Sequence, residues 1–137
     1  MELARWGDRL QPPCPEEAIA DLRRRSFAVL SSDIPEGYVR FLRATDGLEW
    51  DGRMVYASAT SSIVGHEDKV IEGFVEANHL WRSYEPHKEY LFFGESGTSL
   101  YAFNLVEVRF ELQDRSTGNV FETCGTFDEL MACALGS

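Results

Sequence analysis

Serines, histidines, cysteines and paired carboxylates are the groups that could carry chemistry in this chain, so their spacing comes first. Gly94-Glu95-Ser96-Gly97 holds part of the Gly-x-Ser-x-Gly elbow that presents a nucleophilic serine, but the pattern breaks at Thr98. Strand-like residues flank it on both sides, so Ser96 reads as a turn residue and no catalytic residue is assigned. His66, His79 and His87 stand thirteen and eight residues apart, without the i, i+4 pair or the close cysteines of zinc sites, so no metal ligand set is expected. Glu72 and Glu76 would share one helix face, which could hold two carboxylates over a substrate for hydrolysis; a solvated acidic face is the simpler reading. No P-loop and no Gly-x-Gly-x-x-Gly occurs, so no cofactor is expected. Arg23-Arg24-Arg25 lies close to Asp21, Glu16 and Glu17, which makes it a solvated helix end rather than a phosphate patch. The chain reads as non-enzymatic.

Charge then says what it could bind. Of 137 residues, 23 are acidic and 13 are Lys or Arg, a formal charge of −10. Such a field repels phosphate backbones and attracts basic surfaces, which argues against nucleic acid and for a basic protein partner. Residues 1–50 hold nine acids and seven arginines, residues 51–137 fourteen acids and six bases, so the pull lies mainly in the second part. Trp50 stands between Glu49 and Asp51, and Trp81 follows the acidic stretch Glu67, Asp68, Glu72 and Glu76. These eight residues are the candidate partner-binding set; tryptophan is enriched among interface anchors, although core or half-buried packing is the commoner place for Trp50 and Trp81. No apolar run approaches the roughly 18 residues of a membrane span, and the start Met-Glu-Leu-Ala-Arg lacks a secretory h-region. Cys14, Cys124 and Cys133 are an odd number without paired spacing, fitting reduced packing thiols, so a cytoplasmic protein is expected, as a monomer or weak dimer.

The elements that must position these residues follow from periodicity. Pro12-Pro13-Cys14-Pro15 separates a less ordered leader, residues 1–14, from a helix opening at Pro15 and running to about Arg25, with Ile19 and Leu22 on one face. Tyr38, Phe41 and Leu42 form an i, i+3, i+4 stripe on a helix over 35–45, closed by Asp46-Gly47. A strand is expected over 52–59 and a third helix over 68–81, carrying Val70, Ile71, Phe74, Val75 and Leu80. Residues 90–93, 100–105, 106–113 and 120–123 read as consecutive antiparallel strands, with turns at 94–97 and 116–119. Thr126 and Glu129 form a capping box ahead of a closing amphipathic helix. The expected class is α+β: one domain over 1–137, an antiparallel or mixed sheet of four to six strands with flanking helices.

Three of these stretches together resemble a known family. Ile34-Pro35-Glu36-Gly37-Tyr38-Val39-Arg40-Phe41-Leu42 ending at Asp46-Gly47 is similar to the opening helix of SUKH-superfamily domains, a group of yeast cell-wall-synthesis regulators and bacterial immunity proteins. Tyr90 to Gly97 with Leu100-Tyr101-Ala102-Phe103 resembles that family's central hairpin, and Gly125-Thr126-Phe127-Asp128-Glu129-Leu130 its closing helix. The resemblance spans residues 15–135 in order. Where many members have Gly-Asp before the second hairpin strand and Asp at its end, this chain has Thr98-Ser99 and Asn104, so no site built on those aspartates is carried over. The resemblance implies a flanked sheet, no enzymatic activity and, in bacteria, neutralisation of a cognate toxin, often a nuclease, by direct binding. An acidic protein occluding a basic cleft agrees with that. The alternatives are an adaptor of the same fold with a cellular partner and no toxin, and a small hydrolase using Glu72 and Glu76.

Overall fold

A computed structural model describes residues 10–63 and 65–136, without the side chains of His66 and Glu67. In chain order the elements are helices α1 (Glu16–Leu30) and α2 (Glu36–Ala44), then strands β1 (Leu48–Trp50), β2 (Arg53–Val55), β3 (Ser61–Ile63) and β4 (His66–Ile71). Helix α3 (Phe74–Trp81) and a 3-10 turn (Glu85–Glu89) follow, then β5 (Tyr90–Glu95), β6 (Ser99–Asn104), β7 (Arg109–Asp114), β8 (Val120–Cys124) and helix α4 (Phe127–Leu135). Six strands form one sheet in the order β1-β2-β5-β6-β7-β8, every neighbouring pair antiparallel, and β3 pairs with β4 in a small separate sheet. This is the α+β domain expected from the sequence.

Burial of one sheet face explains the layering. Cross-strand partners share a face, so Leu48, Val55, Gly94, Tyr101 and Leu112 form one row and Leu91, Phe103, Phe110 and Cys124 another. Helices α2 and α4 cover this inner face. Phe127 of α4 packs its ring 5.4 Å from Phe93 and 6.1 Å from Phe110, and Tyr38 of α2 lies 5.2 Å from Phe93. A bulge between Phe92 and Gly94 sets both Phe93 and Gly94 inward. Glycine is required there, because a Cβ would lie 2.2 Å from the Met54 carbonyl oxygen.

The third helix fills a gap in the sheet plane. Strand β2 pairs with β5 only at Met54–Glu95 and Val55–Gly94, adds the Tyr56 N–H to the Phe93 carbonyl at 2.8 Å, and then leaves. From Phe92 onward that edge of β5 would be bare. The buried Asn78 amide takes the place of a strand: its Oδ1 accepts the Phe92 N–H at 2.7 Å, and its Nδ2 donates to the Phe92 carbonyl at 2.7 Å and to the Phe74 carbonyl at 2.8 Å. A buried peptide group left unpaired costs comparably to a lost hydrogen bond, so this contact holds α3 against β5.

Several expectations are corrected. The helix expected over 68–81 begins only at Phe74: residues 66–71 form β4, where Ile71 is buried and Val70 exposed, the alternation of a strand. Gly73 separates the two and is packed so closely that a Cβ would lie 2.6 Å from the Thr60 nitrogen. The strand expected over 52–59 is present but shorter, as β2 (Arg53–Val55), and it is the second arm of a hairpin whose first arm, β1, was not expected; Asp51 (φ 49°) and Gly52 (φ 77°), the left-handed pair of a type I′ turn, join them. Helix α1 continues past Arg25 to Leu30, because its buried stripe continues through Ser26 and Leu30. The strand expected from Val106 begins at Arg109; Asn104 Oδ1 accepts the amides of Val106 and Glu107 and makes the turn. Of the expected leader, residues 1–9 lie outside the described residues. The rest is docked, with Leu10 bridged to Leu48 and the Cys14 N–H donating to the Leu42 carbonyl at 2.8 Å. Cys14 and Cys124 are buried as packing thiols, whereas Cys133 is exposed.

Asn78→Ala would orphan both the N–H and the carbonyl of Phe92, each a buried group costing about 1–3 kcal/mol. We predict a loss of about 2–5 kcal/mol in urea or thermal unfolding; a loss below about 1 kcal/mol would contradict the strand-substitute role.

Candidate functional site

The outer face of the sheet carries the polar chemistry. In register across it run Glu49, Met54, Glu95, Leu100, Gln113 and Val120. At about 4.8 Å per strand, Glu49 and Gln113 stand roughly 19 Å apart on one surface. The β3–β4 hairpin leans on the Glu49 end: Ile63 and Ile71 pack with Ala57 against Met54, and the Glu72 N–H points at the Met54 sulfur at 3.5 Å. The opposite end is an aromatic groove.

That groove exists because the chain folds back after α3. Trp81, Tyr84, His87 and Tyr90 recur every third residue through the 3-10 turn, a spacing that stacks side chains along one edge. They wall a groove of about 530 Å³ with Gln113 and Arg115. The His87 ring lies 4.9 Å from Tyr84 and 5.0 Å from Phe92, and its Nδ1 stands 3.1 Å from the Trp81 carbonyl. A carbonyl only accepts, so Nδ1 carries a hydrogen and donates it there.

A closed circuit ties this groove to the sheet. Trp81 Nε1–H donates to Tyr56 Oη at 2.8 Å, and Tyr56 Oη–H donates to Glu95 Oε1 at 2.9 Å. Arg115 Nη1 donates to Glu95 Oε2 at 2.8 Å, and its guanidinium carbon sits 5.3 Å from the Trp81 ring centroid. Burial, then the Glu95 charge, push the Tyr56 hydroxyl far above its ordinary range, so it remains a donor.

Beneath Gln113 lies a buried carboxylate. The Glu111 side chain is 0% exposed; Oε2 accepts from Arg109 Nε at 2.8 Å and Asn104 Nδ2 at 3.0 Å, and Oε1 from Gln113 Nε2 at 3.1 Å. Burial pushes its pKa up, but the hydrogen bonds from Arg109, Asn104 and Gln113 outweigh that and hold it below the ordinary 4.5.

The eight residues anticipated as a partner surface are divided by the fold. Glu49 pairs with Met54 across the hairpin, the Glu72 backbone N–H points at the Met54 sulfur, and Asp68 is exposed on the hairpin that leans there; the Glu67 side chain lies outside the described residues. Trp50 pairs with Arg53 across the hairpin on the inner face, under the Arg53 guanidinium at 5.2 Å, so it is not an anchor beside Glu49. Asp51 is bound to Arg53 at 3.2 Å. Glu76 turns to α1 and pairs with Arg25 at 3.6 Å, and Glu72 precedes the helix, so the two do not share a helix face as a hydrolytic pair would. Trp81 is the groove wall. Tyr56, Asn78, Tyr84, Tyr90, Glu95, Gln113 and Arg115 were not anticipated. The every-third-residue aromatic spacing from 81 to 90 was the available signal; Tyr56, Glu95 and Arg115 meet only through pairing of distant strands.

Ser96 Oγ accepts the amides of Thr98 and Ser99 at 3.2 and 3.0 Å, the role of a turn residue. Among the described residues no group of three His, Cys, Asp or Glu side chains is placed to hold a metal. Among the described residues no helix is long and apolar enough to cross a membrane. No protein-family model matches the chain, and no curated protein matches it either.

A carboxylate whose folded pKa is depressed stabilises above its unfolded pKa, and that contribution is lost as pH falls through the folded value. We therefore predict that Glu111→Gln destabilises by about 1–3 kcal/mol at pH 7, and that the gap to the parent narrows as pH falls below 4.5. Denaturation midpoints at several pH values measure it; parallel curves would contradict the account.

Proposed function

We propose that the protein is a SUKH-type binding protein that neutralises a basic toxin domain, a nuclease being the class whose cleft fits best, by covering it. The observation that carries this reading is how charge is segregated. On the helical side four of the five arginines of α1 and α2 pair locally, Arg23 with Asp33 and Glu36, Arg24 with Asp21, Arg25 with Asp21 and Glu76, and Arg43 with Glu16, leaving Arg40 without an ion pair among the described residues. At the Met54 end of the outer face, Glu49, Asp68 and Glu72 have no ion pair among the described residues. Lys69 is the only lysine or arginine between residues 59 and 73. Three carboxylates without an ion pair thus lie on strand-built elements at one end of the outer face of a chain of charge −10, where negative charge speeds encounter with a basic cleft and sets its orientation. The order of the three SUKH-like stretches supports the same reading.

The test is capture of the partner from the source cell or from cells expressing the neighbouring genes, followed by titration of the captured protein. We predict a basic toxin domain whose affinity weakens as salt rises, and a loss of about tenfold or more with the double variant Glu49→Lys, Glu72→Lys. Capture of a housekeeping protein instead, or binding indifferent to both salt and charge reversal, would move the reading to an adaptor of the same fold.

A further inference from the structure

The aromatic groove has the opposite chemistry to the acidic edge. On a chain of net charge −10, no aspartate or glutamate lines this groove among the described residues, while Arg115 and His87 do. Glu111 is sealed beneath Gln113 and matched by Arg109, and Glu95 stands behind Arg115. Its volume of about 530 Å³ falls in the range of small-molecule sites, which are mostly apolar or aromatic with a few polar groups.

Arg115 is prepared for a ligand. Its hydrogen bonds, to Glu95 Oε2 and to the Ser96 carbonyl, both leave from Nη1 at 2.8 Å. Its guanidinium carbon also stands over the Trp81 ring, 5.3 Å from the centroid, a cation–π contact. Among the described residues no acceptor lies within hydrogen-bond distance of Nε or Nη2, the side-on edge whose two parallel N–H groups match a carboxylate. Opposite, Tyr84 is 60% and Leu80 73% exposed, apolar surface that a flat ring would cover.

The geometry points to a binding site in this groove for a small planar aromatic acid, its ring against Tyr84 and Tyr90 and its carboxylate on the Nε–Nη2 edge of Arg115. Serine and threonine hydroxyls of Ser116 and Thr117 stand on the same wall as Arg115 and complete a polar end facing an aromatic one. The site does not depend on which protein docks at the acidic edge.

The test titrates indole-3-carboxylate and its neutral amide into the full chain, following the Trp81 indole N–H by NMR. The acid is expected to saturate at about millimolar concentration or below, and the amide to bind roughly tenfold or more weakly, the difference a charge-assisted bidentate contact makes. Arg115→Lys keeps the charge but not the fork and is expected to shrink the acid's advantage, whereas Arg115→Gln removes both and is expected to abolish it. Tyr84→Ala, at an exposed position, is expected to weaken acid and amide alike. No shift of the Trp81 signal up to about 10 mM acid, or equal affinity for acid and amide, would overturn the site. Tighter binding of a short peptide ending in a tryptophan carboxylate than of the free acid would overturn its assignment to a small molecule.

Discussion

The amide of Asn78 holds the outer half of this protein in place. Where β2 departs, the N–H and carbonyl of Phe92 would face a gap, and Asn78 meets both at 2.7 Å. An asparagine side chain carries the same donor and acceptor as a peptide unit, so it can end a ladder that a strand no longer continues. One turn later in the same helix stands Trp81. Its indole N–H reaches Tyr56, its ring takes Arg115, and the chain that follows it builds the groove wall. The Asn78 contact thus sets the height of α3, and with it Trp81, against β5.

The same geometry separates two kinds of surface. Most acids of the helical layer, Glu16, Asp21 and Glu36 among them, pair with neighbouring arginines, whereas the half-buried Glu49 and Glu72 and the exposed Asp68 at one end of the sheet have no ion pair among the described residues. At the other end, carboxylates are present but matched: Glu95 to Arg115 and Tyr56, Glu111 to Arg109, Asn104 and Gln113. Exposed pairs contribute little, but the sealed Glu111 cluster makes a satisfied polar patch that fixes the register of β6 and β7 on the face left free of helices. Asn104 belongs to both systems. It bonds Glu111 and accepts two amides of the following turn, a role that needs the donor and acceptor of a neutral amide.

What was legible in the sequence was what local chemistry dictates. Tyr38, Phe41 and Leu42 announced α2, and Thr126 with Glu129 announced α4, whose cap the Thr126 hydroxyl makes by accepting the Glu129 amide at 3.1 Å. The strands from β5 to β8 followed from their period and turns. The β3–β4 hairpin was hidden because Val70, Ile71, Phe74 and Val75 fit a helical stripe and only Gly73 marks the break. Trp50 was misplaced for a different reason. Alternation puts it on the face opposite Glu49, and the neighbouring acids gave no hint that Arg53, two residues beyond the turn's first position, would cover its ring. The Trp81–Tyr56–Glu95–Arg115 circuit joins four residues spread over sixty positions, and no local pattern encodes it.

Native-state hydrogen exchange at the Phe92 amide tests the central claim most directly. If Asn78 substitutes for a strand, this amide opens only with the global unfolding of the protein and exchanges as slowly as the most protected amides of β6. Exchange at the rate of an exposed sheet edge, orders of magnitude faster than its neighbours in β6, would contradict the account.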